Sequence, residues 1–299
     1  MNVILSNNQC PGDILAMTAA IRDLKKAKPD WKIAVRTHAG YLWRYNPDIT
    51  SNVDSTFTEY YLNYQTPRMM GDSYDGHHFC HEFHRTIERI FGIKIPRGPV
   101  TPALYLGESD YDLHIEHDNK PILLINAGAK ADIPLKQWSF QRFQEVVDAL
   151  TDTYTIIQIG RSCENHKKLH GVLDYIDKTP DRQIVKLMVK ADAVLTGVSF
   201  PMHLCQGVSF FDKKPRKCVV LAGGREDPSW EKYQDHTFLS TMGMLDCCKD
   251  RGCWMKHPLA RDNGSNFICK SPTRDINGYY IGSCMEKINV DQVVNALRD

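Results

Sequence analysis

Residues 121–160 read PILLINAGAKADIPLKQWSFQRFQEVVDALTDTYTIIQIG. An unbroken apolar run, Ile122–Ile125, ends at Asn126 in a glycine turn. Residues 139–150 then carry apolar side chains at helical spacing, and Tyr154 opens a second, mostly apolar run to Gly160. Apolar strands with helices between them belong to a parallel sheet covered on both faces. The alternation continues outward, with a helix expected over ENHKKLHGVLDYI (164–176) and strands over AVLTG (193–197) and KCVVLAG (217–223). Upstream, VILS (3–6), an amphipathic stretch from Ile14 to Lys28 and WKIAVRT (31–37) form another β-α-β unit, and Tyr74–Phe91 reads as a helix ended by Gly92. Between Ile93 and Pro121, the breakers Pro96, Gly98, Pro99, Pro102 and Gly107 and the charged ESDYDLHIEHDNK predict an extended linker. The expectation is an α/β protein with two Rossmann-like lobes facing a cleft, 1–115 and 116–240, and a cysteine-rich segment with a terminal helix, 241–299.

The 299 residues are 42% hydrophobic and 24% charged, an ordinary globular composition. No run approaches the roughly 18 apolar residues of a membrane span. Thirty-seven basic and thirty-six acidic residues leave a net charge of +1, so no overall field draws the chain to nucleic acid or anionic lipid. The start, MNVILSNNQCPGDIL, lacks the cationic region and sustained apolar run of a signal peptide, and a cytoplasmic location is expected.

Three strand-to-helix turns face the expected cleft. In Pro11-Gly12-Asp13, Asp13 stands where an N-cap is expected; the same carboxylate at a cleft edge takes a proton from a substrate hydroxyl, while Gly12 admits close ligand approach. In Asn126-Ala127-Gly128-Ala129-Lys130, continuing to Lys136, backbone amides and ammonium groups suit a diphosphate, although neither common phosphate-loop pattern is present. In Gly197-Val198-Ser199-Phe200-Pro201-Met202-His203, Pro201 suits the first helical position and Ser199 with the free amides suits an anion. His203 on its own reads as a core histidine.

Together and in this order, PGDILAMTAAIRDLKKAKPDWKIAVRT, ILLINAGAKADIPLKQW and AVLTGVSFPMHLCQG resemble glycosyltransferase family 9, the bacterial ADP-heptose glycosyltransferases, over residues 1 to about 222. The resemblance implies a GT-B architecture and inverting, metal-independent transfer of a sugar, a heptose from an ADP-activated donor, to a glycan, lipid-linked or protein acceptor. It implies Asp13 as the base, a diphosphate held by Gly128, Lys130, Lys136, Gly197, Ser199, Pro201, Met202 and His203, and a ribose or base contact at Glu164, which also reads as a helix-start cap. The family often has Asn-Asp-Ser-Gly where this chain has Gly197-Val198-Ser199-Phe200, so a phenylalanine stands beside the donor passage. A sugar-nucleotide-binding protein without transfer activity is the alternative reading, and a zinc-finger nucleic-acid module a weaker one.

Of ten cysteines, Cys247, Cys248, Cys253, Cys269 and Cys284 crowd the end of the chain among polar and glycine residues with little core to bury them. Four thiolates make a closed site for one structural zinc or iron ion, and the fifth is spare. The Cys253-Trp254 pair is similar to the cysteine finger of the family 9 branch that glycosylates autotransporters, which implies iron. His77, His78, Cys80, His81 and His84 also invite a metal assignment, but no acidic partner segment accompanies them; a polar, acceptor-facing helix is the expectation.

Overall fold

The structure is a computed structural model describing residues 1–115, 118–129, 136–164, 166–256, 269–278 and 280–299, with backbone only at 67, 68, 255 and 256. The first lobe is built on β1 (Asn2–Asn7), α1 (Pro11–Ala27) and β2 (Lys32–Thr37). β1 runs parallel to β2 on one side and to β3 (Thr58–Tyr61) on the other. Ile14, Leu15, Met17, Ile21 and Leu24 of α1 are fully buried, because the helix packs both within its own lobe and against the second. The helix expected from Tyr74 is shorter. Gly76 adopts φ +77°, Phe79–His81 form a 3₁₀ turn, and α2 runs Glu82–Phe91 before Gly92 ends it at φ +62°.

The second lobe holds β4 (Ile122–Asn126), α3 (Phe140–Leu150), β5 (Thr155–Gly160), β6 (Leu173–Ile176), α4 (Gln183–Lys190), β7 (Ala193–Gly197), α5 (Phe200–Asp212), β8 (Lys217–Gly223) and β9 (His236–Ser240). Its six strands are all parallel, in the order β6-β5-β4-β7-β8-β9. The order reverses between β4 and β7, and ligands of such sheets bind outside the carboxyl ends at that point. The turns after β4 and β7 are two of the three singled out from sequence.

The helix expected over 164–176 does not form. The Gln158 side chain on β5 donates to the Lys167 carbonyl (2.7 Å) and accepts the Leu169 amide (2.8 Å), Gly171 turns at φ +73°, and the segment ends as β6. Residue 165 lies outside the described residues. The cysteine-rich segment contributes the hairpin β10 (Pro272–Arg274) and β11 (Tyr280–Gly282), and α6 (Val290–Arg298) packs on α3 and β8.

The middle of the stretch expected as an extended linker, residues 101–104 with Leu106 and Asp110, is buried between the lobes. Arg22 of α1 donates to the carbonyls of Pro99 and Thr101 (3.1 Å each), and the Ala103 amide donates to Thr18 Oγ1 (2.8 Å). A Cβ on Gly207 of α5 would lie 3.3 Å from Leu104 Cβ. Arg182 donates to both carboxylate oxygens of Asp110 (2.8 and 2.7 Å) and to the carbonyls of Tyr41 and Tyr105. One apolar core therefore runs from Val3 and Leu15 through Leu104 to Val194, Met202 and Tyr233; a second lies between the sheet, α3 and α6. No helix among the described residues is long and apolar enough to cross a membrane.

Candidate functional site

The turn after β1 is fixed by Asn7, whose side chain donates to the Leu62 carbonyl (3.0 Å) and accepts the Gln9 amide (2.7 Å). Helix α1 then begins one turn earlier than the sequence suggests. Cys10 is the N-cap and Asp13 the third helical residue, so Asp13 is not the cap; its Oδ2 reaches back to accept the Cys10 amide (2.9 Å). Tyr64, which sequence reasoning missed, donates to Asp13 Oδ1 (3.3 Å). Its ring packs edge-on against Phe79 and Phe83, and burial followed by the Asp13 charge pushes its phenol well above the ordinary value, so it stays a donor. A Cβ on Gly12 would lie 3.2 Å from His203 Cδ2 and 3.6 Å from Phe200 Cα, so the glycine lets the start of α1 meet the start of α5.

At that second helix start, Phe200 takes the first helical position and Pro201 the second, one residue later than expected. Ser199 is the N-cap residue, but its hydroxyl turns to Thr196 Oγ1 (3.0 Å) and the Gly197 carbonyl (3.3 Å) rather than capping the helix. Gly197 has room for a Cβ, and Met202 is buried beneath the turn. Lys136 lies beside this turn. It donates to the Val198 carbonyl (3.1 Å) and sits 2.8 Å from Glu226 Oε1, with 24% of its side chain exposed. Glu226 also pairs with Arg225. Burial pushes its carboxyl up, but the two cations outweigh burial and hold it below the ordinary value, leaving one net positive charge on the trio.

His203 is buried. Its Nδ1 shares a 2.8 Å hydrogen bond with the Tyr233 hydroxyl, and burial, aided by His78 and Lys136, pushes its pKa down to about 3, so the ring is neutral. Its Nε2 faces Glu231 Oε2 at 3.7 Å. Burial and then the Glu226 charge push Glu231 up to about 8, with Lys136 opposing and Asp13 adding to the rise. A carboxylate on one lobe, a cationic group on the other and a protonated carboxyl thus share the interface between two helix starts. Glu226 and Glu231 were not singled out from sequence; the only local signal is their position after the β8 strand end.

At the ends of β4 and β5, the Ala129 amide donates to the Glu164 carbonyl (3.0 Å), so Gly128 and Glu164 line adjacent turns. The His166 ring lies over both strand ends: a Cβ on Gly128 or Gly160 would come 2.3 or 2.2 Å from it. Neither His166 nitrogen has a hydrogen-bond partner among the described residues, and burial pushes the ring's pKa down to about 4. Lys130 lies outside the described residues.

The histidine stretch does not present a polar face to an acceptor. His77 pairs with Asp75 and Glu82, His78 accepts the Cys80 amide (3.1 Å), Cys80 Sγ meets the Tyr233 hydroxyl (3.1 Å), and buried His84 lies 2.8 Å from Asp23 Oδ2. These groups tie α2 and the turn before it to α1 and the second lobe.

The five late cysteines draw together over the end of β8. A Cβ on Gly224 would lie 2.6 Å from Cys248 Sγ, and one on Gly223 would lie 3.2 Å from Cys284 Sγ. Cys253 is tied to the same place by its amide, which donates to the Gly224 carbonyl (3.0 Å). Burial pushes the Cys247 thiol up to about 11 and that of Cys253 to about 12, and each feels Cys269 and Cys284. Soft sulfur donors suit a thiophilic ion in kind, and Cys248 and Cys284 are seated on glycines whose Cβ atoms would displace them, but no three of the five sulfurs lie within 4.8 Å of one another. The segment also packs on the loop holding Glu226 and Glu231, where a Cβ on Gly252 would strike the Arg225 carbonyl and Arg225 stacks on Trp254. A tighter group lies elsewhere in the second lobe: ligand atoms of Cys205, Cys218 and His236, all buried, lie within 4.8 Å of one another.

Two Rossmann-like lobes meeting across a cleft, with the nucleotide-type sheet second, define the GT-B fold. Glycosyltransferases and heptosyltransferases are among the solved structures whose fold it shares. Superposition on a glycosyl transferase family 9 protein from Veillonella parvula DSM 2008 gives a TM-score of 0.65 at 15% identity, covering 99% of this chain and 96% of that one. ADP-heptose LPS heptosyltransferase II of E. coli gives 0.60 at 15% identity, covering 100% and 98%. The iron-containing dodecameric glycosyltransferase TibC of enterotoxigenic E. coli gives 0.68 at 15% identity, covering 99% and 75%. By sequence, the chain matches no protein-family model and no curated protein.

Proposed function

We propose that the protein is an inverting glycosyltransferase that moves a sugar from a nucleoside diphosphate to an acceptor hydroxyl. The observation carrying this reading is the opposition of Asp13, oriented by Tyr64 and the Cys10 amide, to Lys136 and the α5 start at the switch point of the second lobe. Asp13 accepts the acceptor hydroxyl proton as that oxygen bonds to the anomeric carbon. The bond from the anomeric carbon to the diphosphate breaks, and its electron pair leaves with the diphosphate on the opposite face. Lys136 and the free amides of α5 stabilise the charge that grows there, with Gly128, Gly197, Ser199, Pro201, Met202 and His203 shaping the turns and Glu164 beside the ribose.

An ADP-heptose donor is supported by TibC, which was solved in complex with ADP-D-beta-D-heptose. One zinc or iron ion held by Cys248, Cys253, Cys269 and Cys284, with Cys247 competing for the first position, supplies structural cross-linking when bound. The protein acts in the cytoplasm, and its acceptor is a glycan, a lipid-linked glycan or a protein.

The test is ADP release from ADP-heptose in the presence of candidate acceptors, compared between the natural protein and Asp13→Asn. Turnover should fall about 10²–10⁴-fold while ADP binding is kept. Equal turnover would remove Asp13 from the chemistry, and ADP-heptose binding with no transfer to any acceptor would favour a sugar-nucleotide-binding protein.

A further inference from the structure

Glu231 is the group at the lobe interface to which the transfer chemistry assigns no task. It ends the short helix Pro228–Glu231 after β8 and is 8% exposed. Its Oε2 is buried, with no hydrogen-bond partner among the described residues. His203 Nε2 lies beyond hydrogen-bond length at 3.7 Å, and the other nitrogen of that ring is held by Tyr233. A buried carboxyl oxygen left unpaired forfeits the hydration it had in the unfolded chain. The charges acting on it come from Glu226, Lys136, Asp13 and Arg225, on both lobes.

Resting on the transfer reading above, the location has a chemical meaning. The anomeric carbon must lie between the base and the diphosphate, so the sugar ring fills the space between Asp13 and Lys136. Glu231 feels both. We infer that Glu231 is a specificity-determining residue whose carboxyl group hydrogen-bonds a hydroxyl of the transferred sugar. A protonated carboxyl both donates and accepts, as a hydroxyl does, and a site built to pair a hydroxyl strongly rejects a ligand that lacks it. The raised pKa keeps the acid protonated at neutral pH and agrees with this role.

ADP and ADP-heptose separate the sugar from the nucleotide, and calorimetry on the natural protein, Glu231→Ala and Glu231→Gln reads both. Glu231→Ala should weaken ADP-heptose binding at least tenfold while leaving ADP within about twofold. Glu231→Gln, which keeps a donor and an acceptor, should recover most of the loss. Equal loss for ADP and ADP-heptose would make Glu231 a merely structural group, and no loss for either would also overturn the inference. If no acceptor receives sugar from ADP-heptose, the transfer reading fails; if transfer occurs and Glu231→Ala is silent towards ADP-heptose, this inference alone fails.

Discussion

Gly12 at the start of α1 and His203 in the first turn of α5 close the two lobes onto each other, with only 3.2 Å between His203 Cδ2 and the place a Gly12 Cβ would occupy. The imidazole has little freedom to retreat, since Tyr233 holds its Nδ1. Gly12→Ala would gain up to about 1 kcal/mol of helix propensity. Crowding against a pinned ring costs about 1–3 kcal/mol. The expected result is a lower Tm by a few degrees and slower transfer, read by thermal unfolding and ADP release; a more stable and equally active variant would show that the lobes are not held at this contact.

Lys136→Ala should weaken ADP binding about 10–100-fold, the range for removing one charged hydrogen-bond donor from a phosphate. Transfer should fall with it, because the charge meets the diphosphate before and during bond breaking. Lys136→Arg keeps the pairing with Glu226 and should lose less. Unchanged ADP affinity in Lys136→Ala would move the diphosphate away from this turn.

Acid should destabilise the protein earlier than its carboxylates alone would. Burial lowers His203 to about 3 and His78 to about 4, whereas the unfolded chain takes up these protons near 6.5. The unfolded state therefore binds more protons as the pH falls below 6.5, and stability drops through the window down to the folded values. At pH 5 each contributes a loss of about 2 kcal/mol. Thermal melts at pH 7.5, 6 and 5 should step downward by several degrees in total; a flat series would mean these rings are not held neutral.

Elemental analysis should find zinc or iron bound through the late cysteines at one ion per chain. Cys269→Ser should lower that content and destabilise or aggregate the protein, since thiolate-metal binding supplies around 10 kcal/mol or more of folding free energy. EDTA should leave transfer by still-folded protein intact, because the proposed transfer places no metal at the diphosphate. Metal-free protein with five freely titrating thiols here would remove the site. Metal retained in Cys269→Ser but lost in Cys205→Ala would assign the ion to Cys205, Cys218 and His236 instead.

The three turns were legible because each is local: an apolar strand ends, a glycine or small residue follows, and a helix begins. The partners that give those turns their chemistry were not. Tyr64 reaches Asp13 from 51 positions away, and Glu226 reaches Lys136 from an element that looks like an ordinary loop. The misread helix at 164–176 had suitable periodicity, but the Gln158 amide satisfied its backbone from another strand and held it open. The histidines around His77 advertised a surface because polar residues usually lie there; Asp23, Glu82 and Tyr233 supply partners that let them lie inside.

The stretch between the lobes is held by Arg22, Thr18 and Arg182, and a single core passes through it. Neither half is therefore a portable module. Severed near residue 116, each would carry the raw apolar face left by the other, and grafting the second lobe onto a foreign first lobe to change the acceptor would require transplanting the connecting strap and its two arginine anchors as well.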